Sequence, residues 1–223
     1  AACSAISDVV VATDDERIKH AVEQFGGRVV VTLGDYRTGT DRVAAVASTL
    51  PGEYFVDLQG DEIPEHPDLL TDLVEPFVQS GADIGTLKRA IDSTEDLQNP
   101  AVVKVVTDQQ GKALYFSRSL IPSVRDGSSW GQTTGLHYIH LGLYGYTRTA
   151  LLKFATLPTG ILENAEKLEQ LRALEYGFVI RVWETKRRSL RVDTPEDAIR
   201  VSGLLEHTGK LTDHIASSQA SLR

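Results

Sequence analysis

Methionine is absent from these 223 residues, cysteine occurs once, at Cys3, and tryptophan twice. A single cysteine excludes an internal disulfide and a cysteine-based zinc site. It fits a reducing cytoplasm, which is the expected location. Without a methionine the chain does not open on an initiator, so a segment upstream of it is expected. Positive charge is scarce too: 23 Lys and Arg stand against 31 Asp and Glu, for a formal net charge of −8. Such a chain is poorly suited to neutralising the phosphates of a duplex, so nucleic acid is not an expected partner. Lys186-Arg187-Arg188 is the one compact basic run and reads as a solvated loop after a strand. No apolar run approaches the ~20 residues that span a bilayer, and no basic segment leads into an apolar one at the N-terminus. No membrane association is expected. Gly-x-Ser-x-Gly, His-Glu-x-x-His, Walker A and Gly-x-Gly-x-x-Gly motifs are all missing, as is any Ser/His/Asp triad signature.

What is present suffices for a packed core. Apolar residues make up 41% and charged residues 24%, and the length suits one α/β domain spanning 1–223. Strands and helices alternate at first. Val9 to Thr13 reads as a buried strand, and Asp14-Asp15-Glu16 places acids in the first turn of a helix that ends at Gly26-Gly27. Arg28 to Thr32 is a second strand. Thr38-Gly39-Thr40-Asp41-Arg42 opens a helix to about Leu50, Tyr54 to Leu58 is a third strand, Pro67 starts a helix to about Gln79, and Asp83 to Lys88 is a fourth strand. Then the rhythm changes. Val102 to Thr107 and Ala113 to Ser117 form a hairpin through Gln109-Gln110-Gly111. Ser123 to Gly135 is a polar loop that could act as a lid, and Tyr138 to Tyr146 is another strand. Asn164 to Tyr176 has the pattern of one amphipathic helix. Val179 to Thr185 is a strand, Thr194-Pro195-Glu196-Asp197 has the capping signature of a helix start, and the last dozen residues should fray. Alternation of this kind predicts an α/β fold with a mostly parallel sheet, helices on both faces, and a β-rich lobe at about 99–148.

In such sheets ligands sit beyond the carboxyl ends of strands. Gln59-Gly60-Asp61-Glu62 follows the third strand, where a glycine admits close approach and a carboxylate can hold a hard cation. Taken alone, Asp61 could equally be a solvated turn. Asp193, between a strand and a helix, could share one Mg²⁺ with it, or merely cap its helix. Thr38, Gly39, Thr40 and Arg42 lie at a helix N-terminus whose free N–H groups suit an anion; an ordinary cap is the plain alternative. In His140-Leu141-Gly142-Leu143-Tyr144-Gly145-Tyr146, alternation puts His140, Tyr144 and Tyr146 on one face. Arg118 could clamp a carboxylate or phosphate or form a surface ion pair. Glu169 and Gln170 sit on the amphipathic helix.

The ordered run of these motifs resembles one family. Val-Val-Val-Ala-Thr-Asp-Asp-Glu-Arg (9–17), Thr-Gly-Thr-Asp-Arg (38–42), Gln-Gly-Asp-Glu (59–62), Ala-Leu-Tyr-Phe-Ser-Arg (113–118), His-Leu-Gly-Leu-Tyr-Gly-Tyr (140–146), Leu-Glu-Gln-Leu-Arg-Ala-Leu (168–174) and Val-Asp-Thr-Pro-Glu-Asp (192–197) resemble 3-deoxy-manno-octulosonate cytidylyltransferase, the CMP-Kdo synthetase of lipopolysaccharide synthesis. The resemblance implies a nucleotide-binding (Rossmann-like) sheet and a β-rich dimerisation lobe. It implies a Mg²⁺-dependent reaction in which the anomeric hydroxyl of Kdo attacks the α-phosphate of CTP and releases pyrophosphate. It assigns metal binding and catalysis to Asp61 and Asp193, nucleotide binding to Thr38, Gly39, Thr40, Arg42, Gln59 and Gly60, and sugar binding to Arg118, His140, Tyr144, Glu169 and Gln170. The partners it implies are CTP, Kdo and a second copy of the chain. The family also has an upstream strand and a Gly-, Arg- and Lys-rich loop that these residues do not contain; that segment either precedes them or is lost. Ile63 stands where the family has proline, and Arg191 where it has a small residue. A cytidylyltransferase for sialate or an amino-Kdo, another nucleotide-sugar enzyme such as a glycosyltransferase, and a non-catalytic binding homologue are the alternatives.

Overall fold

The computed structural model describes residues 3–125, 135–192 and 194–204. Asp193, most of the expected polar loop (126–134) and the expected frayed tail (205–223) lie outside the described residues.

The first half of the chain follows its local signals closely. β1 (Val10–Thr13) leads into α1 (Glu16–Gln24), whose N-cap Asp15 accepts from the Arg17 N–H. β2 (Arg28–Val31) returns parallel to β1. Thr38 caps α2 (Gly39–Ala47) by accepting from the Asp41 N–H at 3.2 Å. Hydroxyl capping of this kind satisfies a donor that the helix itself leaves unpaired. β3 (Tyr54–Asp57), β4 (Glu62–Pro64), α3 (Asp68–Ser80) and β5 (Ile84–Ala90) follow. After a short α4 (Thr94–Gln98) come β6 (Lys104–Thr107) and β7 (Ala113–Ser117), the expected hairpin. Its turn uses Gly111 at φ 77° and the Asp108 carboxylate, which accepts from the Gln110 and Lys112 N–H groups. β8 (Tyr138–Thr147), α5 (Arg148–Thr156), α6 (Ile161–Glu166), α7 (Gln170–Glu175), β9 (Ile180–Glu184) and β10 (Ser189–Arg191) complete the labelled elements. Residues 195–204 are helical.

The expected mostly parallel sheet is corrected. The main sheet runs β7-β6-β8-β5-β9, with β3 also paired to β8. Only β5 and β9 are parallel within it; β3, β5 and β6 all run antiparallel to β8, and β6 to β7. The cause is β8, a ten-residue strand that enters from the hairpin region and passes beside three strands in the opposite sense. β6 to β8, expected as a lobe, are therefore part of the same sheet as β3, β5 and β9. Among the described residues, β1 and β2 pair only with each other, and β10 pairs antiparallel with β4.

Helices do cover both faces. On β8, Tyr146 packs into a core with Ala44 and Ala47 of α2, Leu151 and Phe154 of α5, and Leu171 of α7. Leu141 and Leu143 point the other way, onto Leu69 and Leu73 of α3 and Leu87 of β5. The alternation of β8 is thus the alternation of two cores.

The single helix expected over Asn164 to Tyr176 is two. Lys167 takes φ 53°, and the chain restarts as α7. No glycine or proline marks this break. It is made from outside: Arg118 donates through Nε to the Glu166 carbonyl at 2.8 Å and through a terminal nitrogen to that of Lys167 at 3.4 Å. The Glu166 carboxylate in turn accepts from Ser117 Oγ at 2.6 Å and the Arg118 N–H at 2.9 Å.

Candidate functional site

Four separated segments meet at the N-terminus of α2. Thr38 Oγ1, besides capping, donates to Glu169 Oε1 at 3.1 Å across the α6–α7 break. Thr40, 3% exposed, donates to Asp57 Oδ2 at 2.9 Å. Gln59 Nε2 donates to Asp57 Oδ1 at 2.8 Å, so the amide lies across the start of α2. A Cβ on Gly39 would stand 2.4 Å from Gln59 Oε1, so a larger residue there would shift the Gln59 amide from its place across the helix start. Tyr144 lies opposite Asp57 in the β3–β8 register.

Beside this cluster runs a ladder of rings along one face of β8, as the alternation predicts. Ring centroids are 5.3 Å apart for His140 and Tyr144 and 5.9 Å for Tyr144 and Tyr146. Gly142, on the same face, leaves room for the Glu62 carboxylate.

Burial sets the charge state of these groups. It pushes the Asp57 carboxyl up to about 6, against hydrogen bonds from Thr40 and Gln59. It pushes Glu169 up to about 7, against hydrogen bonds from Thr40 and Thr38, with the nearby Asp57 charge adding to the rise. Tyr144 and Tyr146 are driven well above the ordinary phenol range by burial and by the surrounding carboxylates, so both remain O–H donors. Burial lowers His140 to about 3. Its Nε2 lies 3.0 Å from Thr86 Oγ1, whose own proton goes to the carbonyl of Leu141 or Leu143 at 3.1 or 2.9 Å. The lowered value of His140 leaves the imidazole neutral, and with the one Thr86 proton on a carbonyl, the pair is completed by Nε2–H donating to Thr86 Oγ1. Any contact of His140 with a sugar would therefore be made by an uncharged ring.

A buried ion network fastens the cluster. Arg172, fully buried, donates through Nε to Glu163 Oε2 at 2.8 Å and through a terminal nitrogen to Oε1 at 2.5 Å. Its other terminal nitrogen approaches Asp41 at 3.7 Å, and its guanidinium stacks on Phe154. Burial opposes the charge on Glu163, yet the Arg172 hydrogen bonds hold its carboxyl below the usual range. Asp41 is also paired with Arg37 at 2.8 Å. α2 is thereby tied to α6 and α7.

Other expected residues stand apart. Arg42 bonds Thr32 Oγ1 and Asp14 Oδ2, each at 2.7 Å, and stacks on Tyr36, away from Thr38 and Thr40. Arg118 spends three nitrogens on the carbonyls of Glu166, Pro100 and Lys167. Gln170 is buried at the first turn of α7. Gly60 opens onto free space, and Asp61 beyond it is part-exposed, 3.3 Å from Arg191 Nε. Ile63 and Arg191, the two departures from the family pattern, both lie in the β4–β10 ribbon that flanks Asp61. The Val192 N–H donates to the Asp61 carbonyl at 3.0 Å, which brings the strand leading to Asp193 beside it. Sequence reasoning did not single out Asp57, Asp41, Glu163, Arg172 or Thr86. Asp57 ends an apolar strand, a position that solvated acids share, and the other four depend on contacts distant in the chain.

A mixed α/β sheet thus brings a helix N-terminus, an acidic strand end and a ladder of aromatic side chains together, the arrangement of strand ends and helix starts at which α/β proteins place their sites. The cytidylyltransferase family model matches residues 1–187, and the chain belongs to that family. It is 50% identical over 203 residues to 3-deoxy-manno-octulosonate cytidylyltransferase of Geobacter sulfurreducens, covering 88% of this chain and 81% of the relative. It is 48% identical over 202 residues to the protein of the same name from Solibacter usitatus, covering 90% and 79%. Among solved structures it is similar to CMP:2-keto-3-deoxy-manno-octonic acid synthetase complexed with CTP, at a TM-score of 0.83 and 35% identity over 92% of this chain and 83% of that one.

Proposed function

We propose that this chain couples CTP to Kdo, giving CMP-Kdo and pyrophosphate. The observation that carries this is the convergence of Thr38 and Thr40, Gln59, Glu169 and Tyr144 at one helix N-terminus, in a chain half identical to a protein named for that reaction. The N–H groups at the start of α2 favour phosphate oxygens. Tyr144, protonated, and neutral His140 offer hydrogen bonds to sugar hydroxyls. The sugar's anomeric oxygen forms a bond to the α-phosphorus as the bond to pyrophosphate breaks. Catalysis in such a transfer is mainly alignment and charge stabilisation.

Mg²⁺ is the expected cofactor. The donor chemistry fits: Asp61 offers a part-exposed carboxylate beside the open space at Gly60. Mg²⁺ takes one or two carboxylates and fills its shell with water and phosphate. Asp61 and Asp193 would hold it, and it would supply charge at the phosphoryl oxygens. We read the parallel pairs β1–β2 and β5–β9 as the nucleotide-binding part of a Rossmann-like sheet, and the β6–β8 region as a dimerisation surface. Exposed Leu114, Leu120 and Leu136 support the latter. Sedimentation would test it.

The experiment is pyrophosphate release with CTP and Mg²⁺, comparing Kdo, its amino analogue and sialate. Turnover with Kdo foremost is expected. Turnover with sialate alone, or none with any acid, would overturn the proposal.

A further inference from the structure

Glu62 reaches the ring ladder of β8 from outside the main sheet. It begins β4, and the β4–β10 register puts it diagonally across from Ser189, whose hydroxyl donates to Glu62 Oε2. Diagonal neighbours in an antiparallel pair are within reach of a long side chain. Oε1 lies against β8: a Cβ on Gly142 would stand 3.2 Å from it. Gly142 is also where β8 leaves its ladder with β5. Thr86 pairs with Tyr144 and Leu87 with Leu141, so Gly142 and Leu143 bulge between them. Bulges re-aim side chains and gather beside active sites. Here a bulge and a missing side chain admit a carboxylate from another ribbon, close enough for its charge to act on the Tyr144 phenol. Glu62, Gly142 and Tyr144 are each half-buried, so this spot opens to solvent, whereas His140 is buried.

We propose that Glu62 is a specificity-determining residue that contacts the sugar acid, accepting a hydrogen bond from one of its hydroxyls beside the Tyr144 O–H. The placement of Glu62 stands on the geometry; its role toward the sugar rests on the proposed function. A phenol donates and a carboxylate accepts, so the two side by side complement a hydroxyl, which does both. An ionised carboxylate accepts about four hydrogen bonds, so one that holds Ser189 can accept from a sugar as well. Bonds to a charged acceptor are among the stronger ones. The same negative charge repels the sugar's own carboxylate, which must lie elsewhere in the site. Glu62 therefore orients the acid, with a hydroxyl toward the β4–β10 ribbon and the carboxylate away from it. Ser189 fixes the direction of the Glu62 carboxylate and so acts as a positioning residue.

The test is a calorimetric titration of Kdo into the full chain, saturated with Mg²⁺ and a CTP analogue whose α,β-bridging oxygen is a methylene, so that binding is read without turnover. Glu62→Gln keeps the size of the side chain and removes its charge. We expect its Kd for Kdo to rise about tenfold or more, and its Kd for the CTP analogue to stay within about twofold of wild type. Ser189→Ala, which only frees the carboxylate, should raise the Kdo Kd by a smaller factor in the same direction. Kdo analogues that each lack one hydroxyl locate the contact. For one of them Glu62→Gln should add little to the loss already seen with wild type, because both changes remove the same bond. An unchanged Kdo Kd in Glu62→Gln, or a rise matched by the CTP analogue, would overturn the proposal. So would penalties that add for every deoxy analogue, or a change in Mg²⁺ requirement alone, which would assign Glu62 to the metal. Kdo binding that depends on Glu62 without pyrophosphate release from CTP would sink the proposed function and leave the contact standing. Turnover of Kdo with Glu62→Gln binding it as wild type does would do the reverse, and a wild-type chain that binds no Kdo would overturn both.

Discussion

Asp57 sits in a strand where a neutral side chain would cost less, and its ionisation makes stability depend on pH. Its folded value, about 6, lies above the ordinary 3.8. The folded chain therefore holds this proton more tightly than the unfolded chain does. The stabilisation is present in acid and is lost as pH rises from about 4 through about 6, a difference on the order of 3 kcal/mol. Thermal unfolding of Asp57→Asn should improve relative to wild type as pH rises across that window. A difference in Tm that stays constant from about pH 4 to about pH 7 would contradict this. His140 makes a separate prediction. As a buried neutral hydrogen-bonding group beside Tyr144, its replacement by alanine should raise the Kdo KM by roughly tenfold, with a smaller effect on the CTP KM. The reverse order would remove it from the sugar side. Of these two residues only His140 was legible in the sequence, since period-two alternation displays a polar face directly. Asp57 falls one residue before Leu58 in a run read as apolar, and nothing local tells a buried acid from a solvated one at a strand end.

At the level of elements, helix starts were readable and a helix break was not. Asp15 and Thr38 cap because their oxygens reach N–H groups two or three residues on, a local event. The interruption at Lys167 depends on Arg118, 49 residues away in the chain. The Arg172 network is equally remote from local signals, since it needs α2, α6 and α7 in place together. It predicts a large effect. Arg172→Met leaves Glu163 buried with its charge unpaired and should destabilise the chain by roughly 3–5 kcal/mol, measured by denaturant unfolding. A loss below about 1 kcal/mol would mean that this pair does not fasten the site.

For the whole molecule, alternation of strands and helices correctly indicated an α/β fold with both faces covered, and misjudged the sense of the strands. Strand direction is decided by which strands become neighbours, and the adjacency of β8 to β3, β5 and β6 is a long-range outcome. The candidate site was read mostly from ordered motifs. The structure draws Thr38, Thr40, Gln59, Tyr144 and Glu169 together, and sets Arg42 and Arg118 to other partners. At this scale Asp61→Asn should abolish Mg²⁺-dependent turnover while circular dichroism remains that of wild type. Retained turnover would remove Asp61 from the metal site. Finally, the clasp between Arg118 and Glu166 makes two distant positions answerable to each other. A substitution at Arg118 would be felt three residues beyond the helix it closes, at Glu169, so a lost affinity there would report a misplaced turn. Lysine, a single point donor on a flexible stem, could not span the carbonyls that the guanidinium bridges. Sequence drift at 118 should therefore be tolerated only in company with a redesigned end to α6.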